Sequence, residues 1–115
     1  MPKIIETFYG KLISAISKET NKEYDDWRTV YLDWPGLIVI GESEKKQPGK
    51  RFAYLYPNDP DNVMQPYFHT SLGTHTRENQ YVTIETTNSK YIFEEGDFGI
   101  NQGDKQLLML NVFAR

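Results

Sequence analysis

The sequence predicts an α+β domain: an N-terminal amphipathic helix packed on a curved antiparallel sheet, or partial barrel, of about six strands. Three observations carry this reading. Through Tyr81–Glu95, Val82, Ile84 and Thr86 alternate with Thr83 and Glu85, and Tyr91 and Phe93 with Ile92 and Glu94, on the two sides of Thr87-Asn88-Ser89, the period of two strands joined by a tight reversal. Ile4, Ile5, Phe8, Tyr9, Leu12, Ile13 and Ile16 recur at three- and four-residue steps, the spacing of one helical face. Between them, short strand-like runs follow one another with turns rather than helices, the pattern of an antiparallel sheet.

The elements follow in order. Pro2 to about Lys18 is the helix, with Pro2 suited to the first turn, where its missing N–H is not needed. Gly10 costs about 1 kcal/mol against Ala in a helix and marks close packing on the sheet. Only Lys3, Lys11 and Lys18 line the polar side, too few for a membrane-surface helix. The stripe therefore covers the back of the sheet. Glu19 to Asp26 is a polar connection, and Trp27 to Leu32 alternates like a strand. Asp33-Trp34-Pro35-Gly36 is a turn: Pro presets one dihedral and Gly supplies a positive one. Leu37 to Ile40 is a β-branched run too short for a helix, hence a central strand.

Gly41 to Lys50 is a solvated loop turned by Pro48-Gly49. Arg51 to Tyr56 returns as a strand with Phe52, Tyr54 and Tyr56 on one side. Pro57 to Pro66 holds three prolines and reads as a long loop. Tyr67 to Ser71 reads as a short strand and Leu72 to Gln80 as a polar stretch carrying the second histidine. After the hairpin, Gly96 to Asp104 is glycine-rich and turning. Gln106 to Phe113 is apolar enough for a last strand buried on both faces or a short helix, and its place at the end of a β-rich chain favours the strand.

At 115 residues the chain, 1–115, is a single domain. Sixteen rings (eight Tyr, six Phe, two Trp) bury large areas each, so a small core is attainable. The absence of Cys excludes disulfides and thiolate zinc sites. The start of the chain lacks the long apolar core of a signal peptide, and no apolar run approaches the roughly 18 residues of a membrane span. A cytoplasmic protein without a membrane partner is the expectation. A net charge of −3 gives no strong nucleic-acid signal, and it is too weak for a mimic of DNA.

No catalytic constellation assembles, so a non-enzymatic role is expected, with no catalytic residue, no metal and no cofactor. His69-Thr70-Ser71 fits the His-x-Ser/Thr pattern of a two-histidine phosphoesterase once, and His75-Thr76-Arg77 does not fit it. His69 and His75 together would serve a small metal-dependent hydrolase, but no third ligand stands at a diagnostic spacing. Asp59-Pro60-Asp61-Asn62 begins like a calcium loop without its glycine or closing glutamate. Gly96 to Gly103 lacks the Lys-Ser/Thr of a phosphate loop. The aromatics are the stronger signal. Trp27, Arg28, Trp34, Arg51, Tyr54, Tyr56, Tyr67 and His69 form the expected binding set. Rings interleaved with arginines can anchor a protein partner, or stack a base and hold phosphate.

Thr70, Ser71, Val82, Ile84, Thr86, Asn88, Ser89, Tyr91 and Phe93 spell T-S, a gap, then V-x-I-x-T-x-N-S-x-Y-x-F. This pattern resembles one found in short uncharacterised proteins of phages and mobile elements, and it covers about a quarter of the chain. The resemblance implies an accessory protein of a bacterial host cytoplasm and no catalytic residues. The leading expectation is a small non-enzymatic binding protein that sequesters or inhibits a host factor, such as a defence system. The runner-up is a binder of a nucleotide or nucleotide-derived signal, and the third reading is the hydrolase of His69 and His75. Sheet edges leave a homodimer open as well.

Overall fold

β1 runs from Lys3 to Ser17, fifteen residues of continuous strand where the spacing predicts a helix. The computed structural model describes residues 3–45, 47–59, 61 and 67–113. The physical reason for the correction lies in β1 itself. Phe8, Gly10 and Leu12 point inward at the strand period of two, but the pairing then shifts between Leu12 and Ser14, and Ala15 is the next buried residue. A second shift falls between Ile4 and Glu6. Each bulge inserts one residue and turns a step of two into a step of three. Tyr9 faces the other side, where it too is partly covered. Bulges and two covered faces together imitate the period of a helix.

The bends let β1 serve two neighbours. Its first half pairs with β3 (Gly36–Glu42), from Lys3↔Glu42 to Gly10↔Gly36. Its second half pairs with β8 (Ser89–Glu95), from Gly10↔Glu95 to Ser17↔Ser89. Gly10 is the crossover residue common to both ladders. A Cβ there would lie 2.3 Å from the Glu94 carbonyl oxygen, so only glycine fits.

The other strands are β2 (Lys22–Glu23), β4 (Arg51–Pro57), β5 (Phe68–His69), β6 (Thr74–Glu78) and β7 (Tyr81–Glu85). Among the described residues this makes eight strands rather than about six, in the order β5-β4-β3-β1-β8-β7-β6 with β2 beside β1. Every strand pairing is antiparallel. The sheet curls until a single antiparallel bridge, Arg51↔Gly73, joins β4 to the approach to β6. The β7–β8 hairpin forms as its alternation predicts, closed by Thr86 and Ser89.

Three other expectations are corrected. Trp27 to Leu32 is not a strand: Trp27–Tyr31 is a turn of 3-10 helix whose Arg28 N–H bonds the Asp26 carboxylate. The polar stretch after Leu72 contains β6, which pairs with β7 and whose His75 and Arg77 meet charged groups of other strands. The helix lies at the C-terminal side, not the N-terminal: α1 spans Gln102–Phe113, where the apolar run favoured a strand. The Asn101 side chain accepts from the Asp104 N–H and caps its start. The expected loop from Pro57 to Pro66 falls largely outside the described residues; Pro57 itself ends β4.

Two apolar clusters occupy the two faces of the sheet. Inside the curl, Phe8, Leu12, Ile38, Ile40, Leu55, Phe68, Val82, Ile84 and Phe93 are sealed from solvent with Tyr31 and Tyr91. On the outside, Leu37 and Val39 of β3 pack with Ile100 and Leu108, flanked by Tyr9, Tyr56 and Val112. β3 is thus buried on both faces, as its unbroken apolar run requires. The Tyr9 hydroxyl donates to the Lys105 carbonyl at 3.0 Å and pins α1 to β1. The helix covers the sheet through Leu108, 8% exposed, and Val112, while Leu107 (57%) and Leu110 (55%) face outward. No helix of the described residues is long and apolar enough to cross a membrane.

Candidate functional site

The alternation of β4 divides its residues cleanly. Ala53 and Leu55 face the core, and Phe52, Tyr54 and Tyr56 face outward. β5 is paired so that His69 stands opposite Tyr54 and Phe68 opposite Leu55. His69 therefore joins the outer face while Phe68 enters the core, and Tyr67, two positions earlier, lies beside His69. The result is a platform of five rings. Tyr54 is its centre, with Tyr67 and His69 both stacked on it at 5.2 Å (29° and 20°), Tyr56 at 6.0 Å and Phe52 edge-on at 5.5 Å. Tyr67 is 43% exposed. Flat rings fixed by cross-strand stacking present a large contact area that has little rotamer freedom left to lose. Tyr56 also packs under α1, so the platform runs up to the helix. A groove of about 290 Å³ between Pro57–Asp59 and α1 residues Asp104, Leu107, Leu108 and Asn111 marks that border.

The expected binding set separates into several places. Tyr54, Tyr56, Tyr67 and His69 come together in the platform. Trp27 and Arg28 lie elsewhere, on the 3-10 turn. Trp27, 56% exposed, rests against Phe68 and Tyr31. Burial pushes the Tyr31 phenol up. The Arg28 guanidinium lies 3.8 Å over the Tyr24 ring and 4.9 Å from the Trp27 ring. Its Nε donates to the Tyr91 hydroxyl at 2.9 Å, and its Nη1 pairs with Asp26. Burial pulls the Arg28 pKa down, but the bond and charge of Tyr91, with Asp26 and Tyr24, raise it on balance. Trp34 donates its indole N–H to the Asn58 carbonyl at 2.9 Å, tying two loops together.

Arg51 belongs to a chain of charged groups. Its Nε donates to Glu42 (3.0 Å) and its Nη1 to His75 Nδ1 (2.9 Å). A guanidinium only donates, so Nδ1 accepts and the imidazole proton sits on Nε2. Nε2 donates to Glu6 Oε2 at 2.9 Å. Arg77 then donates twice to Glu6 Oε1, at 3.1 and 2.7 Å, and reaches Glu95 at 2.8 Å. Burial lowers the His75 pKa first of all; Arg51 and Arg77 lower it further, against the pull of Glu6. The bonds to Glu6 and Glu95 raise Arg77. The chain links β1, β3, β4, β6 and β8, so it acts as a lace across the curled sheet.

His69 and His75 are accordingly divided, one in the platform and one in the lace. No group of three His, Asp or Glu side chains converges among the described residues. Sequence reasoning missed one further feature. A cleft of about 780 Å³ opens where Ser17, Tyr24, Arg28, Ser71 and the β7–β8 turn, Thr86 to Ser89, meet. Six hydroxyl residues, three of them from this turn, line it with Tyr91, and only the run Thr86-Thr87-Asn88-Ser89 hinted at them.

Comparison of the chain with known protein families, with curated proteins and with solved structures finds no match.

Proposed function

We propose that the protein is a non-enzymatic binding protein of phage or mobile-element type that holds a host protein on the ring platform of β4 and β5 and so sequesters or inhibits it. The observation that supports this reading most is the stacking of Tyr67 and His69 on Tyr54, each at 5.2 Å, on the outer face of the sheet. These rings are not needed to fill the interior, which is closed by Phe68, Phe93 and the aliphatic residues of the curl. Tyrosines held rigid before contact lose little entropy on binding and concentrate interface energy. The hairpin's resemblance to short phage proteins directs the choice of partner to a host factor, a defence protein among them, in a bacterial cytoplasm.

The test is capture from several bacterial lysates with the native protein and with the double variant Tyr54→Ala/Tyr67→Ala. The reading expects one host protein in a saturable complex with the native chain, lost with the variant. Recovery of nothing from any lysate, or equal recovery by the folded variant, ends it.

A further inference from the structure

From the cleft at the end of the curl we infer a second binding site, for a phosphate monoester carried on a hydroxylated body, anchored by Arg28 and Tyr91. Each of the two residues keeps a donor that the described residues do not use. Arg28 spends Nε on Tyr91 and Nη1 on Asp26, and its Nη2 has no bond among the described residues. Tyr91 is 5% exposed; its hydroxyl oxygen accepts from Arg28, and its own proton has no acceptor among the described residues. Both line the cleft. An anionic oxygen bound in the cleft takes charge-assisted hydrogen bonds from both groups, stronger than those they give to a neutral acceptor.

The rest of the cleft decides what carries that oxygen. Its wall is polar: Ser17, Ser71, Thr87 and Asn88 line it, beside the Tyr24 hydroxyl and Ser89 Oγ that bond each other at 2.6 Å, a lining suited to a hydroxylated body rather than an apolar one. Glu19 also lines it, and Asp26 already sits on the arginine. The one guanidinium among the lining residues, itself paired with Asp26, can hold a single phosphate, and Glu19 repels a second. The volume, about 780 Å³, is ample for a sugar phosphate or a nucleoside monophosphate. This site is separate from the ring platform and stands or falls without it.

Calorimetric titration tests it with four probes: ribose 5-phosphate, a nucleoside 5′-monophosphate, inorganic phosphate and uncharged ribose. Both esters saturate the site, inorganic phosphate binds more weakly and ribose does not bind. Whichever ester binds tighter identifies the body, and either result supports the site. Arg28→Gln and Tyr91→Phe each weaken the ester by about ten-fold, while Lys3→Gln, which removes a positive charge elsewhere, changes nothing. If Arg28→Gln fails to fold, Tyr91→Phe carries the test alone, because its ring keeps the edge contact with Phe68 at 5.5 Å. Equal binding of ribose and its phosphate, unchanged ester binding in folded Tyr91→Phe, or no saturation by any probe up to about 10 mM overturns the inference.

Discussion

His75 Nε2 lies 2.9 Å from Glu6 Oε2, although the two residues stand 69 positions apart. The imidazole is nearly sealed, and Arg51 donates to its other nitrogen. A proton can reach Nδ1 only by breaking that bond and placing a third cation between Arg51 and Arg77. The folded protein therefore holds His75 neutral, with its pKa below the ordinary 6.5. Above 6.5 both folded and unfolded chains carry the neutral ring, and this stabilising difference is complete. As pH falls below 6.5 the unfolded chain takes up a proton that the folded chain refuses, and stability is lost until the folded pKa is reached. Urea midpoints should drop as pH falls below about 6.5, and His75→Gln should flatten that drop. A drop of equal size in the variant would assign it to other groups.

Gly10 is the point at which β1 passes from one partner strand to the next. Gly10→Ala sets a methyl group against the Glu94 carbonyl, where an ideal Cβ would be only 2.3 Å away. Backbone cannot step aside as a side chain can, so the change should cost about 3 kcal/mol or prevent folding. Thermal denaturation of the purified variant measures it. In a helix the same change would have stabilised the protein by about 1 kcal/mol, so the sign of the effect separates the two readings of β1.

Leucines in the same chain should behave in opposite ways. Leu12 is fully buried among the curl residues, and Leu12→Ala should cost about 3 kcal/mol through lost contacts and a cavity. Leu110 faces outward from α1, and Leu110→Gln should change stability by less than about 0.5 kcal/mol. Denaturant titrations of both variants decide whether the outer side of the helix carries any of the fold's stability.

Within the platform, Tyr67→Ala removes a ring that is 43% exposed. It should leave the unfolding midpoint nearly unchanged while costing a bound partner about 2 kcal/mol. Equal losses in stability and binding would mean that the ring is structural.

Much of the sheet was legible in the residues. Leu37 to Ile40 and Phe52 to Tyr56 have the length and composition of strands, and Asn88-Ser89 marks a reversal, because these signals are local. The stacking of Tyr54, Tyr56, Tyr67 and His69 was half legible: period two puts the first two on one face, but only the β4–β5 register brings the others against them. The separation of Arg51 from these rings was not legible at all, because its partners Glu42 and His75 are set by the closure of the sheet.

Local pattern by itself determined that strands dominate and that a hairpin occupies Tyr81–Glu95. Tertiary structure alone decided that Lys3–Ser17 is a strand and Gln102–Phe113 a helix. The reason is physical in both cases. Bulges that bend β1 toward two partners disguise its period, and α1 shows its buried side only through the face of β3 that it covers.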